Sequence, residues 1–224
     1  MWFSTADRRL TRVLGWLAAL GLVAGLAMGF CIAPREVTQG NVQRIMYLHV
    51  PTAWVAYLAF MIVLVASVVY LFTRSVAADR LAQASAEAGV VFTGVTIAAG
   101  SIWGKPTWGI WWTWDARLTS VAVLFVMYLG YLLLREMIDD RERAARYCAV
   151  LGIVAALDVP LVHLSVFWWR TLHQPPSVMT PGPVSLPSAM LAALLVNVLA
   201  FTLLYTYFVA KRLSSLRREH EAIA

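Results

Sequence analysis

Charge is scarce in this chain. Asp, Glu, Lys and Arg make up 13% of its 224 residues, against 61% hydrophobic, and the charged share is about half that of a soluble domain. An ordinary water-soluble globule is thereby excluded. Residues 13–34, 45–73, 88–104, 118–134 and 184–210 hold no charged side chain, and 147–169 hold one acid, Asp158. A membrane-crossing helix needs about 20 apolar residues, with a range of about 17–25. The expected fold class is therefore all-α: a polytopic integral membrane protein whose six transmembrane helices form one domain over residues 1–224.

Cysteine is scarcer still. Cys31 falls near the outer end of the first span and Cys148 near the inner end of the fifth. Roughly 25–30 Å of bilayer would separate them, too far for a disulfide. There is no C-x-x-C pair for thiol chemistry and no C-x-x-C-H for covalent cofactor attachment. The stretch GSIWGKP (100–106) resembles a phosphate loop, but its glycines are one residue too close and proline stands where Ser or Thr is needed. No ATPase, and no enzyme of any acid–base type, is expected.

The charges that exist are unevenly placed. With a cytoplasmic N-terminus, 13 of the 18 basic residues fall in inner segments, and Arg35, Arg44, Lys105, Arg117 and Arg170 fall outside. The positive-inside rule then puts both termini in the cytoplasm. The net charge of +6 follows from topology and gives no case for nucleic-acid binding. The first apolar stretch is too long for a signal-peptide core and is expected to stay as an anchor. Gly21, Gly25 and Gly29 open one of its faces to close packing, including by the helix of a small partner subunit. The mixed-sign segment 135–146 is expected to be a solvated turn.

Against this background stands SIWGKPTWGIWWTWDARLTS, residues 101–120, expected as an outer loop between spans 3 and 4. Five of the ten tryptophans lie in it: Trp103, Trp108, Trp111, Trp112 and Trp114. Lys105, Pro106, Asp115 and Arg117 argue against a lipid-facing helix. So much aromatic area in water would be costly without a partner, so the segment suits a flat, apolar ligand. Gly104 and Gly109 would let the backbone turn or approach closely.

Histidine is rare too, with four residues. His49 precedes Pro51, which suits the first turn of the second span and leaves His49 near its cap. His173 follows the fifth span, just before Pro175 and Pro176. The two sit at one membrane depth and flank the tryptophan segment. Two neutral imidazoles above an aromatic platform describe a bis-histidine haem site holding haem b non-covalently. His163, inside the fifth span, is expected to be buried and hydrogen-bonded to a neighbouring helix, with a role as an alternative ligand as the lesser reading. His220 lies in the tail. Asp158 precedes Pro160, where a kink would free backbone groups for it.

W-G-K-P-x-W-G-x-W-W-x-W-D-A-R-L-T resembles the tryptophan-rich signature of haem-handling membrane proteins of cytochrome c biogenesis. With YLHVP before the second span and WWRTLHQ after the fifth, the chain resembles their short six-span form, the cytochrome c maturation protein C (haem exporter protein C) family. The resemblance implies a multi-pass protein of the bacterial inner membrane that holds haem at the periplasmic face and presents it to a periplasmic haem chaperone. It also implies ABC-type ATPase and permease subunits and a small single-span subunit as partners. It assigns His49 and His173 as axial iron ligands. Trp103, Gly104, Trp108, Gly109, Trp111, Trp112, Trp114 and Asp115 match the signature that cradles the porphyrin. Lys105, Arg117 and Arg170 are the basic candidates for its propionates, although Arg117 could instead pair with Asp115. Two rival readings are a haem transporter across the bilayer and a b-type cytochrome subunit in electron transfer.

Overall fold

The computed structural model describes residues 5–175 and 186–221. Seven α-helices make up six segments long and apolar enough to cross a membrane. They are α1 (Thr5–Ala27), α2 (Met46–Thr73), α3 (Val76–Trp108), α4 (Ala116–Met137), α5 (Arg141–Ala156), α6 (Asp158–Trp168) and α7 (Ser188–Glu221). The all-α, six-span expectation holds. A π-turn (Met28–Ile32) extends α1, and a 3-10 turn (Val42–Ile45) leads into α2.

A hairpin of α2 and α3 forms the centre, reversed by two residues. Arg74 closes α2 with a left-handed φ of 56°, and the Ser75 side chain caps α3 by accepting from the Ala78 amide. The helices approach closely because a small residue faces a large one. A Cβ on Gly89 would come within 2.5 Å of the Phe60 ring, and Phe60 in turn stacks on Tyr128 of α4 at 3.7 Å. Where lipid competes for apolar contacts, such small-to-large fitting is what holds helices together.

α3 begins twelve residues before the uncharged stretch that announced it. Its inner end carries Asp79 and Glu87, whose charges are matched from other helices. Arg135 of α4 reaches Asp79 through two bonds of 2.6 and 3.0 Å, and Arg212 of α7 reaches Glu87. Arg135 is thus largely buried at the end of α4, not in a solvated turn; the connection to α5 is residues 138–140.

The α1 glycines are occupied within the chain. Gly21 meets Ala200, Gly25 meets Asn197, and Gly29 meets Tyr47, while Asn197 Nδ2 donates to the Gly25 carbonyl at 2.7 Å. That face has no room for another subunit. Cys31 is exposed, Cys148 is buried, and both are free thiols.

Candidate haem-binding site

The start of α2, the end of α3, the start of α4 and the chain after α6 meet at one end of the bundle around a cavity of about 740 Å³, counted with its open mouth. The cavity runs from Gln39 and Trp103 at the rim past His49 to Ala53 and Tyr57, one and two turns further along α2.

His49 is not at a helix cap. α2 starts at Met46, so His49 lies in its first turn and Pro51 is inside the helix. Its Nδ1 is 3.0 Å from the Thr96 carbonyl of α3, and the Thr96 hydroxyl donates to Thr52 Oγ1 at 3.0 Å, tying α2 to α3 just below. Gly100 makes the approach possible, because a Cβ there would stand 2.9 Å from His49 Cε1. His173 lies in a bend of the non-helical chain after α6, half-buried, with Nδ1 2.7 Å from the Gln174 carbonyl.

The two rings meet, with centroids 6.3 Å apart and planes at 37°. A metal–imidazole bond is about 2.0–2.1 Å and a ring centroid lies about 1.1 Å behind its nitrogen, so two imidazoles facing one metal have centroids about 6.3 Å apart. Each Nδ1 is engaged by a carbonyl, which fixes the neutral tautomer, and among the described residues no partner takes Nε2, the arrangement usual for metal-bound histidine. Burial, then the nearby Arg117 guanidinium, pulls the His173 pKa down to about 4, so its ring is neutral at physiological pH.

The tryptophans divide. Of residues 101–120, those up to Trp108 are the last turns of α3, and the loop proper is 109–115. Gly109 ends α3 with φ of 81°, a conformation that favours glycine. Trp103, Trp108 and Trp112 line the cavity with Gly104. Trp103 stands edge-on to His49 at 5.8 Å and Trp108 is 6.2 Å from His173. Trp103 Nε1 donates to Gln39 Oε1 at 2.8 Å, whereas the buried Nε1 of Trp112 has no partner among the described residues. Trp111 and Trp114 are 58% and 77% exposed and lie outside the lining.

Asp115 does not line the cavity either. Its Oδ1 caps α4 by accepting from the Arg117 and Leu118 amides, and its Oδ2 accepts from the Leu172 amide at 3.1 Å. One carboxylate thereby holds the tryptophan loop and the residue before His173 together. Arg117 makes no ion pair with it. The guanidinium lines the cavity and donates to the Val162 carbonyl at 3.2 Å. Lys105 donates to the Gly109 carbonyl from an exposed position, and Arg170 is exposed outside the lining.

Two expectations about the fifth span need correction. His163 has no hydrogen bond among the described residues and meets Tyr57 edge-on, with centroids 6.5 Å apart. Asp158 starts α6 after a break at Leu157, but its Oδ2 is buried and unpartnered, so it does not satisfy the groups the break frees. Gln39, Tyr57, Thr96 and Gly100 escaped sequence reasoning. Gly100 sits in the stretch dismissed as a failed phosphate loop, and nothing local marks the other three.

A family model described as Heme exporter protein C matches residues 1–223. The chain belongs to that family. A relative named Heme exporter protein C from Bradyrhizobium diazoefficiens is 46% identical over 211 residues, spanning 93% of this chain and 79% of the relative. The relative of that name in Escherichia coli K12 is 37% identical over 215 residues, spanning 93% and 86%. An Arabidopsis thaliana relative, named a putative cytochrome c biosynthesis ccmC-like mitochondrial protein, is 35% identical over 189 residues, spanning 84% and 70%.

Proposed function

We propose that the chain is a haem-handling protein of cytochrome c biogenesis that holds haem b non-covalently between His49 and His173. The observation that carries this is the 6.3 Å spacing of two rings whose Nε2 atoms have no hydrogen-bond partner among the described residues. Among the described residues no cluster of three or more His, Cys, Asp or Glu could hold a bare ion. A pair of imidazoles alone suits a metal that brings its remaining ligands with it, as haem iron does. Trp103, Trp108 and Trp112 offer indole surface to a porphyrin. Arg117 and the unpartnered Trp112 Nε1 offer donors to its carboxylates. The positive-inside rule supports a bacterial inner-membrane protein with the site on the periplasmic side. The relatives' name supports a part in haem export, and the resemblance of the tryptophan-rich segment implies ABC-type ATPase and permease subunits, a small single-span subunit and a periplasmic haem chaperone as its partners. The open mouth of the cavity and the exposed Trp111 and Trp114 beside it suit a ligand that must leave.

In this reading haem supplies the iron and the reactive vinyl edge. The protein's residues hold, orient and partly dry it. Thr96 aims His49, Asp115 steadies the segment carrying His173, and Ala53 and Tyr57 shape the apolar floor.

The test is the absorption spectrum of protein purified from haem-replete cells. The unmodified chain should show a six-coordinate, low-spin b-type spectrum, lost or strongly altered in His49→Ala and in His173→Ala. A normal low-spin spectrum in both variants would overturn the ligand assignment.

A further inference from the structure

The connection between α1 and α2 carries a small hairpin. Glu36 and Gly40 pair as an antiparallel bridge, with the Gly40 amide donating to the Glu36 carbonyl at 3.0 Å. Glu36 Oε2 accepts from the amides of Thr38 and Gln39 and so closes the turn from inside. Gly40 takes the left-handed φ of 60° that the reversal needs. Behind the hairpin, Arg44 donates to the carbonyls of Phe30 and Ala33, which fastens its base to the end of the first span. The backbone is thus fixed by its own bonds, and it delivers one side chain, Gln39, to the rim of the cavity.

What Gln39 meets there is Trp103. Its Oε1 accepts from the indole Nε1 at 2.8 Å, joining residues 64 apart in sequence. The bond is not common to the indoles of the cavity wall, since Trp112 Nε1 has no partner among the described residues. Trp103 packs against the apolar cluster of Ala33, Met46 and Tyr47 and stands to His49 nearly at right angles, at 77°. Among the described residues the His49 side chain has one hydrogen bond, from Nδ1 to the Thr96 carbonyl. One bond at one ring atom leaves an imidazole able to rock about that contact, and a second ring packed against it removes the freedom. The indole can do this only while its own torsion is fixed. A hydrogen bond at Nε1, off the axis of the Cβ–Cγ bond, fixes it.

We propose that Gln39 is a positioning residue of the haem site: through Trp103 it sets the plane of the His49 ring, and so the angle between the two axial imidazoles. This rests on the haem reading above. The rings stand at 37° to each other, and the angle between axial ring planes governs how the d orbitals of a low-spin iron split. The hairpin braces the iron's ligand field from outside the bundle without touching the iron or its ligands.

The experiment uses the full chain in lipid nanodiscs, first without haem. The Trp103 indole N–H, identified by its loss in Trp103→Phe, should exchange slowly with solvent, and Gln39→Leu should speed that exchange by about fivefold or more, the worth of one neutral hydrogen bond. With ferric haem bound, Gln39→Leu should stay six-coordinate and low-spin while its largest g value shifts or broadens. Its haem loss to excess apomyoglobin should rise about fivefold. Gln39→Glu, which keeps an acceptor, should restore both. Trp103→Phe, which keeps a ring and removes the donor, should reproduce Gln39→Leu, and the double variant should be no worse than Trp103→Phe alone. Unchanged exchange, or unchanged g values and loss rate, in Gln39→Leu would overturn the positioning role. So would effects that add in the double variant, or no rescue by Gln39→Glu. An unmoved Gln39→Leu spectrum beside a six-coordinate unmodified chain sinks the role of Gln39 alone. If the unmodified chain never becomes six-coordinate, the haem reading falls, and the positioning role with it.

Discussion

Asp115 gives the sharpest test of how the site is held. Its Oδ1 caps α4 and its Oδ2 holds the Leu172 amide. Losing a helix cap costs about 1 kcal/mol, and losing a hydrogen bond to a charged group costs about 1.5 kcal/mol. Asp115→Ala should therefore destabilise the arrangement that presents His173 by about 2–3 kcal/mol, which is about 30–150-fold in population. Asp115→Asn keeps one oxygen, enough for the cap but not for Leu172 as well, and should lose about half as much. The assay is haem titration of the purified chain, following the low-spin fraction and the apparent affinity. Asp115→Ala should bind more weakly and show a larger high-spin fraction, because His49 stays in place while His173 is released. If Asp115→Ala keeps both affinity and low-spin fraction, the carboxylate does not position His173 and the account of the loop is wrong.

Two other outcomes follow from the geometry. Gly100→Ala places a methyl 2.9 Å from His49 Cε1, so it should shift the low-spin spectrum and weaken haem binding; equal substitution at Gly130, where no atom stands within 4 Å of a new Cβ, should not. In the haem-free chain, an NMR titration should place His173 near pH 4 instead of 6.5. Between these values the unfolded chain binds a proton that the folded one refuses, so folding stability should fall as the pH drops from 6.5 towards 4; a His173 midpoint at 6.5 would show that the ring is not shielded.

The six spans were legible because membrane cost makes charge placement informative: five uncharged runs marked five of them, and a run with the single acid Asp158 marked the fifth span. The two histidines were legible because each sits at a helix end beside proline, at one depth. The length of α3 was not. Asp79 and Glu87 hid its inner turns, and the Arg135 and Arg212 partners that permit them lie on distant helices. Lys105 and Pro106 likewise suggested a loop where α3 continues to Trp108. The role of Asp115 was invisible for a similar reason. Its contact to Leu172 joins residues 57 apart in sequence, whereas on spacing alone Arg117 could either pair with Asp115 or meet a propionate. Thr96 and Gly100 act on His49 only because α2 and α3 fold back on each other.

His49 and His173 rest on foundations of unequal stiffness. One is built into a helix at the centre of the bundle, braced by Thr52, Thr96 and Gly100. The other stands on non-helical chain pinned from outside by one carboxylate. A clamp with one fixed jaw and one hinged jaw opens in a set order. Under the haem reading, release should begin at His173, leaving iron tethered to His49 with one axial face free, and a receiving protein need act only on the hinged side.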